Sequence, residues 1–445
     1  MMTDLCGWGR YPRLASDLLE PRRAEEVRQV QAARTGWVAR GNGRAYGDAA
    51  IGLEATIGLR ALDRMRHLDE AAGTLTAEAG VTLGEVIDAL LPRGWFVPAV
   101  PGTQYVTLGG MVASDVHGKN HHATGGFGAH VRALTLVLPG GEVVRCSPQE
   151  KAALFRATIG GQGLTGSITE VTFGLMRVET GWIRQRTIAT PDLATTIRVL
   201  AEAEAEATYS VAWIDSVARG ARLGRGAVFL GEHATRADLA ELAPGTDPRP
   251  RHRPARLGMS FDLPGFTLNR LSVGAFNELY WRKAAATRGP QLSAWSSYFF
   301  PLDGITDWNR MYGPRGFVQH QCVIPAPVAQ DAVAEILRRV AAAGTASFLA
   351  VLKSLAHGHG LLSFPMPGLT LALDIRMTEE TPALLAGLDR LVVEAGGRLY
   401  LAKDACQSPA TFEAGYPALG AFRAIRREIG AEGRVTSRLS ARLGI

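Results

Sequence analysis

Three kinds of residue in this chain have the type and spacing to do chemistry. Glycine-rich stretches come first: "RGNGRAYGD", residues 40–48, follows an apolar run at 36–39 that can end a strand, and "PGTQYVTLGGMVASDVHGKNHHATGGFG" spans 101–128. Gly109 and Gly110 let backbone amides approach a pyrophosphate with no side chain in the way, and Thr107 can add a hydroxyl. Together the two stretches offer two turns of N–H groups around one diphosphate. Isolated lysines come second: Lys353 in "FLAVLKSL" and Lys403 in "LYLAKD" stand in otherwise apolar, strand-like runs. Desolvation there lowers a lysine pKa toward the working range of proton transfer, although the same pattern suits a lysine that snorkels to the surface. Third, Gln319 and Gln321 in "VQHQC" alternate on one strand face, suited to hydrogen-bonding a ligand or simply to facing water. His117, His121 and His122 are close in sequence but have no acidic or thiolate partner at helix spacing, so no metal is expected.

The glycine loops exclude two common phosphate binders. The 40–48 stretch lacks the Lys-Ser/Thr ending of a P-loop, and no amphipathic helix follows it. A literal G-x-G-x-x-G occurs at Gly161, Gly163 and Gly166, with Glu179 near the place of a ribose-binding acid. The dinucleotide fingerprint needs a helix to open at those glycines, and "SITEVTF" alternates like a strand instead.

The elements that must position these residues divide the chain by texture. The first ~180 residues hold glycine loops and short strands. In "TLTAEAGVTLGEVIDALLPRG", alternation at Leu75, Ala77 and Ala79 gives way to a helix. Thr82 and Glu85 form its capping box, Leu83, Val86, Ile87, Leu90 and Leu91 its apolar stripe, and Gly94 its end. "RALTLVLPGGEVVRC" reads as two strands around a Pro-Gly-Gly turn. Beyond about 180, "FVQHQCVIP", "PVAQDAVAEILRRVAAAG", "SFLAVLKSL", "TLALDIRM", "TPALLAGLDRLVVEAGG" and "RLYLAKD" spell β-α-β-β-α-β. "WIRQRTIAT", "TIRVLAEAEAEA", "YSVAWID" and "GAVFLG" repeat its first four elements. Such an order builds a wide antiparallel sheet with helices on one face. Between the two portions, Arg249, Arg251, Arg253 and Arg256 crowd a proline-broken segment. It reads either as a solvated, mobile loop or as one that meets anionic lipid, with Met259, Phe261, Leu263 and Phe266 inserting.

Bulk properties bound the rest. A chain of 445 residues, 47% hydrophobic and 20% charged, is expected to fold into two domains. The net charge of +6 suits an anionic ligand or membrane surface. Without a long basic run it does not single out nucleic acid, which is not an expected partner. Cys6, Cys146, Cys322 and Cys406 lie far apart, against a zinc ribbon or a disulfide framework. With no apolar leader and no long apolar span, a soluble or peripheral protein is expected. The absent leader favours the cytoplasm and leaves the periplasmic side open.

"RGNGRAYGD", "VPGTQYVTLGGMVASDVHGKN" and "ATIGGQGLTGSITEVTF" resemble the FAD-binding (PCMH-type) domain of the vanillyl-alcohol oxidase flavoprotein superfamily. "GWGRYPR", "HGKNHH", "WID", "SFPMPG" and "GGRLYLAKDACQSPATFEAGYP" resemble its branch that oxidises the 2′-hydroxyl of decaprenylphosphoryl-β-D-ribose. The likeness runs nearly end to end and is weakest from about 216 to 290. It implies an α+β, two-domain flavoprotein: an FAD-binding domain at 1–180, completed by 398–445, and a substrate domain at 181–397 with a wide, helix-covered antiparallel sheet.

By the resemblance, Ala39, Arg40, Gly41, Asn42, Gly43, Arg44, Ala45, Tyr46, Gly47, Asp48 and Ala49 wrap the FAD diphosphate from one side. Gly102, Thr107, Leu108, Gly109, Gly110, Ser114, Asp115, Val116 and His117 close it from the other, and Ile168 and Tyr400 touch the cofactor. Arg44 stands where covalent members carry the flavin-linking histidine, so the FAD is expected to be non-covalent. Oxidising a secondary alcohol needs its proton removed as hydride leaves carbon. Lys403 and Lys353 match the active-site lysines, Lys403 being the first choice for the essential one. Tyr46, His117, Gln319 and Gln321 would border the reacting centre. Ala372 and Phe299 depart from a cysteine and a tyrosine of mycobacterial members, which alters pocket shape and leaves the hydride chemistry untouched.

The implied product is the 2′-keto sugar, the first half of an epimerisation that feeds cell-wall arabinan. An NAD(P)H-dependent short-chain reductase would be the partner, and membrane contact peripheral. Rival readings are an FAD oxidase of a soluble alditol or aldonolactone, and a non-catalytic anionic-lipid binder that kept the fold.

Overall fold

The computed structural model describes every residue except Met1, Arg253, Pro254, Arg256, Phe266 and Ala346. Arg253, Arg256 and Phe266 of the basic segment thus lie outside the described residues. Three main sheets organise the chain. In the first, Met2–Leu5 pairs antiparallel with Leu14–Leu19, which runs parallel to Ala55–Gly58, itself parallel to Trp37–Arg40. The second is antiparallel, in the order Met65–Asp69, Thr74–Glu78, Ser167–Gly174, Val131–Val137, Val143–Cys146. The helix Leu83–Leu90 starts on the reciprocal Thr82–Glu85 capping box and runs on as a 3-10 turn, Leu91–Arg93, that ends at Gly94, whose φ of 78° is the left-handed conformation that glycine adopts without strain. A strand, Ser167–Gly174, follows the third glycine cluster, which removes the helix a dinucleotide fingerprint needs.

The third sheet has eight strands and carries most of the site. Its order is Gln291–Ala294, Trp182–Thr190, Gly226–His233, Tyr209–Ile214, Ala350–Leu355, Gly368–Arg376, Phe317–Ile324, Arg398–Leu399, with antiparallel neighbours throughout. Strand alternation sorts its residues. Val318, Cys322, Ile324, Leu371, Leu373, Ile375, Ala350 and Leu352 face the helices Leu193–Glu206, Ala326–Ala342 and Thr381–Glu394 and form one core with their Leu, Val and Ile residues. Gln319, Gln321, Thr370, Ala372, Val351 and Lys353 point the other way, into a cavity.

Two expectations need correction. "RLYLAKD" is a strand only at Arg398–Leu399. Tyr400 N–H still donates to Gln321 O (2.9 Å), after which the Lys403 and Asp404 amides both turn back onto Tyr400 O. The run is apolar because Leu401 and Ala402 are buried within a turn, not because they alternate across a sheet. The basic segment is also docked where it is described: Arg249 donates to Pro92 O (2.6 Å), Asp262 pairs with Arg10 and Arg310, and Leu257–Gly258 pairs parallel with Ile305–Thr306. It is anchored by charge and backbone pairing rather than loosely solvated.

Candidate active site

The first two glycine stretches meet face to face. A Cβ on Gly41 would collide with the Thr107 hydroxyl, and one on Gly109 would come within 2.9 Å of Ala79 Cβ. Asn42 Nδ2 donates to Tyr105 O (2.9 Å), fastening loop to loop. Between them opens a cavity of about 980 Å³, at the upper end of what small-molecule sites enclose. Of the residues expected to hold FAD, Ala39 to Tyr46, Ala49, Gly102, Thr107, Gly109, Gly110, Ser114, Val116, His117, Ile168 and Tyr400 line it.

Gly47, Asp48, Leu108 and Asp115 do not; they brace the wall from behind. A Cβ on Gly47 would strike the Asp404 carbonyl, and Leu108 is wholly buried in the core. Asp48 pairs with Arg442 (2.9 Å), and Asp115 accepts from Gly128 N–H, His359 N–H and the Ser363 hydroxyl.

The wall fits a dinucleotide. Around the space expected for Gly102 Cβ there is no atom within 4 Å. His117 Nδ1 and Arg44 Nε are buried polar atoms with no hydrogen-bond partner among the described residues, the kind of vacancy a polar ligand fills. Arg44 lies over the Trp8 ring (4.1 Å) and near Tyr105 (4.9 Å), offering a cation and no nucleophile.

The same cavity reaches the large sheet, where Lys119, Lys353 and Lys403 line it. Burial lowers Lys353 to about 8 and, with Lys353 nearby, Lys119 to about 7. Lys119 Nζ donates to Tyr298 O and lies 4.0 Å over the Tyr298 ring. Lys403 Nζ lies 3.6 Å over the Tyr46 ring. Burial pulls its pKa well down, Asp374 opposing and Lys353 reinforcing the shift. Asp374, wholly buried, has its own pKa raised by the same desolvation. It accepts from Gln319 Nε2 (2.6 Å) and the Tyr312 hydroxyl (3.0 Å). Gln321 Nε2 lies 2.9 Å from His117 Nε2. As the amide donates, His117 presents an acceptor there and is neutral, in keeping with a pKa that burial and the neighbouring cations push well below its usual range.

Thus Tyr46, His117, Gln319, Gln321, Lys353 and Lys403 share one cavity, as do Ala372 and Phe299. Lys119 and Asp374 were not singled out by the sequence. Lys119 sits in the quoted "HGKN" with nothing local to mark its burial. Asp374 is a charge in an otherwise apolar strand, the one signal available beforehand.

A glycine-walled cavity beside desolvated lysines suits a flavin-binding oxidoreductase, and the similarities of the chain place it in that class. A family model described as FAD binding domain matches residues 18–147. Over 99% of this chain and 97% of the other, the sequence is 35% identical to decaprenylphosphoryl-beta-D-ribose oxidase of Mycolicibacterium smegmatis. The chain belongs to the decaprenylphosphoryl-β-D-ribose oxidase family, and FAD is its cofactor. An uncharacterized protein of Streptomyces coelicolor is 36% identical over 82% of this chain and all of its own. A putative D-arabinono-1,4-lactone oxidase of Neurospora crassa is 33% identical over only 24% of this chain and 19% of its own.

Proposed function

We propose that this chain oxidises the 2′-hydroxyl of decaprenylphosphoryl-β-D-ribose, or a close polyprenyl-phosphoryl ribose, to the 2′-keto sugar. The observation that carries the reading is a single cavity lined by three chemically distinct walls. One is the glycine cradle; another holds Lys119, Lys353, Lys403, Gln319, Gln321 and His117; the third is Val211, Trp213, Phe229, Tyr280 and Leu349, an apolar lining suited to a prenyl chain. The full-length relative named for that substrate supports it. Residues 1–180 with 398–445 would hold FAD, and 181–397 the sugar-lipid.

FAD, when bound, supplies the hydride acceptor. The protein's share is proton transfer and placement. Lys403, its ammonium form disfavoured by burial, takes the hydroxyl proton, and the Tyr46 ring 3.6 Å away keeps the resulting cation in place. Lys353 adds positive charge that favours an alkoxide. Gln321 engages the His117 Nε2 lone pair and so leaves Nδ1–H as the free donor, which suits His117 to orienting a ligand rather than to taking the proton. Arg44 at the place of a linking histidine makes the FAD dissociable, so acid precipitation should release all flavin to the supernatant. An NAD(P)H-dependent reductase would consume the keto product, and the lipid substrate calls for peripheral membrane contact.

The test is an anaerobic spectrum of the FAD-loaded protein with farnesylphosphoryl ribose. Bleaching of the visible flavin band supports the reading. A flavin that stays oxidised with this substrate and bleaches with a soluble alditol overturns it in favour of an alditol oxidase.

A further inference from the structure

A helix of a folded domain ordinarily turns its apolar residues inward. Arg270–Ala286 does not. Val273, Asn277 and Ala284 are buried, while Leu271 is 86% exposed and Leu279 69% exposed, with Phe276 half-exposed beside them. Leu271, Ala275 and Leu279 follow one another at four-residue spacing and so form a ridge along one side, about 12 Å long at 1.5 Å per residue. Of the nine large hydrophobic side chains exposed among the described residues, five fall between 257 and 279, the other two being Leu257 (67%) and Phe261 (64%).

These residues belong to one surface. Leu268, just before the helix, packs against the same aromatic cluster, Trp308, Tyr312 and Phe317, as Ile305 and Phe348 do. Phe276 also meets Phe348, and Ile305 pairs with Leu257. The surface is rimmed by cations: Arg270, Arg282 and Arg288 on or beside the helix, and Arg251 on the preceding segment, are all exposed. Glu278, the helix's one acid, is taken up by Arg225 and Arg282. The opposite side of the same helix faces the cavity, which Tyr280, Lys283, Ala284 and Thr287 line together with Ile305 and Thr306. Among the described residues no helix is long and apolar enough to cross a membrane.

Taking the sugar-lipid reading above as its basis, we infer that the outer face of Arg270–Ala286, with Leu257 and Phe261, docks on an anionic phospholipid bilayer. Leu271 and Leu279 enter the acyl boundary, and Arg270, Arg282 and Arg288 meet the headgroup phosphates. One helix then has two jobs: its outer side rests on the bilayer and its inner side walls the cavity, so a phosphoryl-sugar lipid moves from leaflet to site along the helix. An apolar ridge without charge would equally suit a second copy of the chain; the cationic rim decides for the bilayer, since a second copy would bring the same cations against it.

The test is flotation of the full-length, FAD-loaded chain with vesicles of phosphatidylcholine alone or with phosphatidylglycerol. The wild type should float with anionic vesicles, bind neutral ones at least tenfold less, and lose binding in high salt. Leu271→Ser with Leu279→Ser should lower anionic binding at least tenfold while leaving FAD content, melting temperature and flavin bleaching by micellar farnesylphosphoryl ribose unchanged. Its bleaching by vesicle-borne long-chain substrate should slow by a similar factor. Undiminished vesicle binding by the double variant overturns the docking surface and leaves the proposed reaction standing. Failure of micellar substrate to bleach the wild type overturns the reaction, and vesicle binding is then scored by itself. A dimer that the double substitution converts to monomer, without vesicle binding by either, assigns the ridge to a second copy and overturns the inference.

Discussion

Replacing Lys353 by methionine should make the protein more stable and less active. The lysine falls from 10.5 to about 8, and burial is the sole cause. At about 1.36 kcal/mol per pH unit, holding it charged in the folded chain costs about 3.4 kcal/mol. Its side chain keeps partial contact with the cavity, so that figure is an upper one. The sign follows from linkage. Between pH 8 and 10.5 the unfolded chain binds the proton that the folded chain has released, so wild-type stability rises with pH across that window. Below it both states are charged and the full cost is present. Lys353→Met has no such proton. In urea unfolding of the FAD-free chain, the variant should exceed wild type by up to about 3 kcal/mol near pH 6.5, and the gap should shrink by about 2 kcal/mol near pH 9.5. Lys119 and Lys403, which Lys353 pushes down, should rise in the variant and widen the gap at low pH in the same direction, while titrating groups that do not face Lys353 are common to both proteins. Flavin reduction by substrate should slow at least tenfold. A gap equal at both pH values would refute the reasoning, because packing differences do not titrate.

Lys403→Ala should keep its FAD and lose substrate-driven flavin reduction by about 10²–10⁴-fold, the usual worth of a positioned base; stopped-flow reduction at a normal rate would remove Lys403 from that role. Asp374→Asn takes away the carboxylate that opposes the lowering of Lys403, so the acid limb of the kcat profile should move to lower pH, and overall rate should fall as Gln319 and Tyr312 lose a charged acceptor. An unmoved limb would show that Asp374 does not set the lysine. Gly47→Ala pushes a methyl against the Asp404 carbonyl beside Lys403, and should lower kcat at least tenfold with thermal stability reduced by about 1–3 kcal/mol; unchanged kinetics would show that the turn yields freely.

What could be read in advance followed from local rules. The alternation in "VQHQC" gives Gln319 and Gln321 one direction because a strand's side chains repeat every second residue, and both do line the cavity. The capping box at Thr82 and Glu85 is equally local. Lys403 kept its place in the cavity but not its expected strand, because burial on all sides makes a turn as apolar as a strand. Asp374 and its partners lie 55 and 62 residues apart, and Lys119 meets Tyr298 across 179. No window of sequence contains such pairs. The inverted helix at Arg270–Ala286 escaped for a related reason: its apolar residues look core-facing until the fold shows which side is already taken.

Arg442 has a consequence for how the site comes into being. Its guanidinium bonds Asp48, 394 residues earlier, and Asp404, next to Lys403. Both acids are almost fully buried, and without that cation two carboxylates would face each other with no counter-charge. The glycine loop at 40–48 is therefore translated long before the residue that fixes it. During synthesis a growing chain exposes "RGNGRAYGD" for hundreds of residues before the group that fixes it emerges from the ribosome. On the proposed placement of FAD, retention of the yellow cofactor reports that segments 394 residues apart have met, and colour becomes an assay of finished folding.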